Sequence, residues 1–226
     1  MLSIPTPLDL RRGCGSVKQF VRDRVFSLTR SILFECNCRN GKRSICSPAV
    51  RFRFAGPADL SALREVPHEY GPSAKRFGFQ RLDRGDSLLI GECEGDVVFY
   101  AWLMHAQMDL DQNVLVPIAG NVAYSYRVFT VDHARGRHIC AAYYEWINQE
   151  LQQFGCERLI CRIGAGNMPS IHAHLRAGFQ TCGQLSKLVL GHRSIYRADA
   201  DLRRWLVNLC PPDYFSSSGL LLKHDI

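Results

Sequence analysis

Hydrophobic and polar positions alternate along this chain in blocks whose period changes, and each change marks an element. Val50 to Phe54 sets Phe52 and Phe54 against Arg51 and Arg53, the period-two pattern of a strand. Pro57–Val66 and about Ser73–Leu82 carry helical patterning, with Gly71-Pro72 breaking the chain between them. Ser87–Cys93 and Val97–Met104 are rich in apolar strand formers and flank Glu94-Gly95-Asp96, which predicts a hairpin. Asp109–Asn113 is a polar break, and Val122–Val131 supplies a further strand, so the first half is expected to be an antiparallel meander.

The pattern then switches. Arg127–Val131 is β-branched and aromatic, and Asp132–Arg137 interrupts it with charge and Gly136. From Ile139 the apolar residues recur at helical spacing (Ala142, Tyr143, Trp146, Ile147, Leu151), so a helix starts at about His138 and is capped by Gly155. Arg158–Ile163 predicts a short strand. Asn167 to Ser170 opens a second helix, with Pro169 in its first turn, that runs to Gly178. Alternation resumes from Phe179 in a last strand or two, and Ala200–Leu209 is the final helix. A strand turning tightly into a helix leaves the first helical N–H groups unpaired, and with the macrodipole these form an anion site. Arg135 and Arg137 add positive charge there. A phosphate or pyrophosphate site and a solvated basic turn both fit that segment taken alone.

The order strand, turn, helix, strand, Asn and then Gly-Phe over Val128–Phe179, with Arg135–Cys140 in place of an Arg/Gln-x-x-Gly-x-Gly/Ala turn, resembles the GNAT superfamily of acyl-CoA-dependent N-acyltransferases. The resemblance spans about residues 50–195 and is detailed in 127–179. It implies an α/β fold with a mixed, mostly antiparallel central sheet flanked by helices. The implied reaction moves an acyl group, acetyl above all, from acetyl-CoA or another acyl-CoA to the primary amine of a small molecule or peptide, without a metal. Carried over, Arg135, Gly136, Arg137, His138, Ile139 and Cys140 form the turn that holds the CoA pyrophosphate. Phe129, Thr130 and Val131 line the pantetheine and thioester, a strand N–H near Val131 polarises the thioester carbonyl, and Asn167 contacts the cofactor. His174 stands seven residues after Asn167, where members often carry a proton-donating Tyr. An imidazole with an ordinary pKa of about 6.5 can take that role. The chain departs from the family at His138 and Cys140, which replace turn glycines; a negative φ is expected at His138. Tyr124, Tyr126 and Glu92 are acceptor-side candidates, and no general base is identified. Two other readings stay open: a CoA-binding or regulatory module without turnover, and a transferase using an aminoacyl-tRNA donor.

At 226 residues and 46% hydrophobic content, one domain with extensions is expected: a basic helical extension over 1–48, the transferase domain over 49–196, and a C-terminal helix and tail over 197–226. No apolar run is long enough to span a bilayer, and Arg11 and Arg12 are not followed by the apolar core of a secretory signal. Charge is lopsided. Residues 1–53 hold eleven Lys/Arg against three acids, leaving seventeen against eighteen in the remainder. Val17, Phe20, Val21, Val25 and Leu28 fall at near-helical spacing among arginines, so an amphipathic basic helix is expected over about 15–32. Packing on the domain is its favoured role. Peripheral contact of residues 11–45 with an anionic membrane surface is the second. No recognition motif points to nucleic acid. The ten cysteines lack metal-ligand spacing and suit reduced thiols in a cytoplasmic protein. The sequence leaves the oligomeric state open.

Overall fold

A computed structural model describes residues 26–40, 50–65, 71–111, 114–190, 193–211 and 223–225. In chain order the strands and helices are β1 (Phe26–Asn37), β2 (Arg51–Ala55), α1 (Gly71–Asp83), β3 (Ser87–Cys93), β4 (Asp96–His105), β5 (Gln107–Asp111), β6 (Val114–Pro117), β7 (Val122–Thr130), α2 (Ile139–Gln153), β8 (Arg158–Gly164), α3 (Met168–Arg176), β9 (Gln180–Leu190), β10 (Arg193–Ala198), α4 (Ala200–Leu209) and β11 (Lys223–Asp225). Pro57–Glu65 and Asp132–Ala134 are 3₁₀ turns rather than α-helix. The expected mixed, mostly antiparallel sheet flanked by helices is present. Among the described residues nine strands form it in the order β11-β10-β9-β1-β8-β7-β4-β3-β2, and β7–β8 is its parallel pair.

Helices cover one face and a mixed layer the other, which is why the central strands are apolar on both sides. Phe34, Leu89, Phe99 and Leu159 pack under α2 and α3 with Tyr143 and Ile147. On the opposite face Leu88, Ile90 and Trp102 pack with Leu60 of the Pro57–Glu65 turn. Beside them, Leu33 and Ile160 pack against Leu202 and Leu206 of α4. β4 runs through both layers, so Val98–Met104 is buried throughout. α2 ends as its Gly155 predicts: φ is +76°, Cys156 N–H donates to Leu151 O at 2.9 Å and Gly155 N–H to Gln152 O at 3.0 Å, which satisfies two terminal carbonyls.

Three expectations need correction. The amphipathic helix over 15–32 does not extend into the described part: Phe26–Asn37 is a strand, inserted between β8 and β9. Leu33, Phe34 and Cys36 are buried there, and ladder partners on both sides outweigh a local helical spacing. Residues 11–25 and 41–49 of the basic segment lie outside the described residues. Asp109–Asp111 is not a break but the end of β5, which pairs with β6, and Met108, Leu110, Val114 and Val116 of this pair are buried. Gly71-Pro72 opens α1 rather than separating two helices; Pro in a first turn forfeits no hydrogen bond.

Two outcomes follow. A chain starting at Ser47 would lack β1, a strand paired on both edges, and is expected to lose its cooperative thermal transition, as circular dichroism melting would read. Gly183 has φ +139°, and a Cβ there would stand 2.4 Å from Leu202 N. Gly183→Ala should therefore cost about 1–3 kcal/mol in a denaturant titration, the usual penalty of overpacking.

Candidate active site

The parallel pair β7–β8 supplies the opening. Its register runs from Val122↔Arg158 to Ser125↔Cys161 and stops, although β7 continues to Thr130 and β8 to Gly164. Beyond Ser125, β7 follows β4 while β8 follows β1, so the two strands part. β7 is also bulged. Tyr100 pairs with Phe129 and Trp102 with Tyr126, leaving Arg127 and Val128 opposite the single Ala101. Arg127 has φ +48°, a left-handed conformation that breaks the regular course of the strand.

Both parallel strands lead into helices at this end, α2 after β7 and α3 after β8. The connection to α2 carries the basic turn. Arg135 ion-pairs with Asp132 at 2.8 Å, donates to Thr130 O at 3.2 Å and lies over the Phe129 ring at 5.3 Å, so it folds back on the strand end. Gly136 has φ +78° and His138 φ +59°. The negative φ expected at His138 is thus overturned: this residue is a left-handed N-cap without a side-chain cap bond. Ala141 and Ala142 donate to His138 O, and the earlier amides of the turn and first helical residues are left for another partner. Arg135 to His138 are exposed, Ile139 is buried, and Cys140 is half-buried. Burial raises the Cys140 thiol to about 12, which makes it a packing group and not a nucleophile. Phe129 and Thr130 are half-buried and Val131 is buried, its N–H held by Val98 O at 3.0 Å. The Val131 amide expected to polarise the thioester carbonyl is therefore occupied within the sheet. Asn167 caps α3 by accepting from Ser170 N–H at 3.3 Å.

His174 is only 4% exposed, packed against Phe34, Tyr144 and Phe179. Its Nδ1 lies 2.7 Å from Ser170 O and must donate; Nε2, 2.5 Å from the Tyr144 hydroxyl, then accepts. Desolvation lowers its pKa, partly offset by the Ser170 carbonyl. This corrects the expectation of a proton donor: the ring is neutral, and its N–H is committed to the helix backbone. On the same face Tyr143 and Ser125 share a hydrogen bond at 3.2 Å, at the apex where β7 and β8 part.

A family model described as Acetyltransferase (GNAT) family matches residues 59–179, more than half of the chain. The chain belongs to this family. No curated protein sequence matches it. The fold is similar to that of a functionally unknown conserved protein from Staphylococcus epidermidis ATCC 12228 (TM-score 0.55, 9% identity, covering 76% of this chain and 66% of that one). It is also similar to a GCN5-related N-acetyltransferase from Sphaerobacter thermophilus (0.54, 13%, 81% and 56%) and to a GNAT-family acetyltransferase from Colwellia psychrerythraea (0.53, 13%, 76% and 59%). The chain spans less than two thirds of the length of each of these structures.

In this GNAT-family chain a second polar group occupies the opposite face of β7. Tyr126 donates to Asp86 Oδ2, and Arg84 reaches the same oxygen at 2.5 Å. Arg81 lies over the Trp102 ring at 5.1 Å and the Tyr126 ring at 6.0 Å. Of the sequence candidates for the acceptor side, Tyr126 alone joins this group. Tyr124 is buried and donates to Asp109 O at 2.9 Å, tying β7 to the β5–β6 hairpin. Glu92 is bound to Arg53 at 2.8 Å, which also holds Asp59. Asp86, Tyr144 and Ser125 escaped the sequence reading. Alternation along Val122–Val131 put Ser125 and Tyr126 on opposite faces, but nothing local linked Tyr126 to a carboxylate forty residues away. Among the described residues no group of three or more His, Cys, Asp or Glu could hold a metal ion, and no helix is long and apolar enough to cross a membrane. The eight described cysteines are free.

The depressed pKa of His174 sets a pH dependence. The unfolded chain takes up a proton below about pH 6.5 that the folded ring resists. Stability tied to His174 is therefore fully present above that pH and is lost as pH falls through it toward the folded-state value. Thermal melts between about pH 8 and about pH 5 should show an acid-side loss in wild type that His174→Asn lacks, from a lower baseline. Parallel curves would place that titration elsewhere.

Proposed function

We propose that this chain is an acyl-CoA-dependent N-acyltransferase that moves an acetyl group from acetyl-CoA to a primary amine. The observation that carries the reading is the parting of β7 from β8 after Ser125↔Cys161, beside a bulge and below two helix N-termini. The β7 edge from Tyr126 to Thr130 faces the gap and offers strand-like hydrogen bonds to the amides of a pantetheine arm, lined by Phe129, Thr130 and Val131. The pyrophosphate lies at the first turn of α2, where the amides of Gly136 to Cys140 and the dipole attract it, with Arg137 nearby and Arg135 bracing the turn. Asn167, capping α3 across the gap, contacts the arm. The Val128 N–H at the bulge polarises the thioester carbonyl, an oxyanion-type contribution.

Attack by the amine forms the new C–N bond and breaks the C–S bond. The amine loses one proton, and the CoA thiolate gains one. Ser125 and Tyr143, hydrogen-bonded to each other and buried, form a hydroxyl pair on the α2 side where β7 and β8 part. His174 acts behind them by fixing the Tyr144 hydroxyl.

A second reading, a CoA-binding module without turnover, is favoured by one feature. His138 holds a side chain at a left-handed position in the phosphate turn, where glycine would allow closer approach. Calorimetry with CoA and a thiol-release assay with acetyl-CoA against amino acids, polyamines, amino sugars and peptides separate the two. The transferase reading expects both binding and thiol release; binding alone favours the module. Arg135→Ala should weaken CoA binding about tenfold or more while the protein stays folded, on the scale of a lost charge-assisted contact. Equal binding by wild type and Arg135→Ala would put the cofactor elsewhere.

A further inference from the structure

We infer that Tyr126 is the catalytic group that takes the proton from the acceptor amine, passing its own hydroxyl proton to Asp86, which acts through it. The inference rests on the transferase reading above and adds the base that the sequence did not identify.

The placement follows from strand geometry. Ser125 and Tyr126 are consecutive in β7, so they project to opposite faces. Ser125 joins Tyr143 on the α2 side, and Tyr126 joins Asp86 on the α1 side. Tyr126 immediately precedes the Arg127–Val128 bulge, the point at which a thioester carbonyl would be held. The amine therefore arrives from the α1 face, and the sulfur leaves on the other side. Tyr126 is half-buried whereas Asp86 is 5% exposed, so an acceptor reaches the phenol and not the carboxylate. The surrounding wall is aromatic. Trp102 is the cross-strand partner of Tyr126, and Tyr100 packs on Phe129 with ring centroids 5.7 Å apart. Trp102 is wholly buried, and its indole N–H has no hydrogen-bond partner, which leaves a donor unused on this face.

The charged and titratable neighbours fit a relay. Burial and the Asp86 carboxylate raise the pKa of Tyr126, and Arg81 and Arg84 offset part of the rise. The phenol thus keeps its proton at rest and shuttles it, rather than acting as a phenolate. Arg84 fixes Asp86 from the turn after α1, and Arg81 lies over Tyr126 from α1 itself. His105, from β4, feels Asp86; desolvation lowers its pKa more than that carboxylate raises it. Tyr124 stacks on Tyr126 at 5.7 Å with its hydroxyl committed to Asp109 O. As the C–N bond forms, the amine N–H proton moves to Tyr126 Oη while the Tyr126 proton moves to Asp86 Oδ2. Tyr126, again a neutral phenol, then gives its proton to water as the protonated Asp86 returns one to it, and the CoA thiolate takes a proton from water on the far face. One amine proton is lost and one thiol proton gained.

The test is single-turnover acetyl transfer from acetyl-CoA to whichever amine of the panel wild type acetylates fastest, measured across pH. Tyr126→Phe is expected to lower the rate near neutral pH by about 10²–10⁴-fold, the usual worth of a positioned base. Its CoA binding should match wild type, and it should stay cooperatively folded, with its melting temperature lowered only by the lost hydrogen bond to Asp86. The deficit should shrink as pH rises toward the pKa of the amine, because solution then supplies the neutral nucleophile. Asp86→Asn should reproduce that pH dependence if it folds, and Tyr126→Phe alone decides if it does not. Wild-type rates in Tyr126→Phe, or a deficit independent of pH, would falsify the relay; the second result would mark Tyr126 as a packing residue. Wild type that binds no CoA, or acetylates no amine, instead overturns the transferase reading before the relay is reached.

Discussion

The short parallel contact between β7 and β8 is the constraint on which the rest of this molecule depends. Parallel neighbours need a long connection, and here α2 provides it, so the end of β7 must turn directly into a helix N-terminus. The contact lasts only from Val122↔Arg158 to Ser125↔Cys161, because β7 is drawn along β4 and β8 along β1. A bulge adds local twist to β7 where the strands part. The gap, the edge of β7 that no longer follows β8 and two helix N-termini are consequences of that single junction.

β1 gives the junction its rigidity on one side. It pairs with β8 along Ser31–Asn37 and with β9 along Phe26–Glu35, so the N-terminal part of the chain is built into the middle of the sheet. Glu35 of β1 also accepts the Trp205 indole N–H at 2.7 Å, which ties α4 to the same strand. A segment whose charge suggested a detachable basic extension is instead continuous with the core that fixes the position of β8.

Two polar chains flank β7 and do not meet. On the α2–α3 side Ser125, Tyr143, Tyr144, His174 and the Ser170 carbonyl are hydrogen-bonded inside a low-dielectric layer. On the α1 side Tyr126, Asp86 and Arg84 form a charged group in which Tyr126 is half-buried and Asp86 buried. Unpaired, such groups would be costly to bury, and paired they hold their side chains in fixed positions.

Much of this was legible in the sequence because it depends on local period and on turn chemistry. The hairpin around Glu94-Gly95, the strand before Asp132, the helix from Ile139 to its Gly155 cap and the Asn167-started helix all come from residues within one element. The family resemblance lies in the same short stretch, and with it the basic turn. Gly155 needed only its own positive φ, and Asn167 only the amide of Ser170. Tertiary structure decided what depends on partners distant in sequence. Phe26–Asn37 became a strand because a slot with hydrogen-bonding edges on both sides existed between β8 and β9, an energy no local pattern contains. His174 became a neutral, buried anchor because Tyr144 and Phe34 were brought against it, and Tyr126 acquired a carboxylate because the turn after α1 placed Asp86 beneath it. Local sequence fixes which conformations a segment prefers; the burial, charge state and partner of a side chain belong to the packed whole.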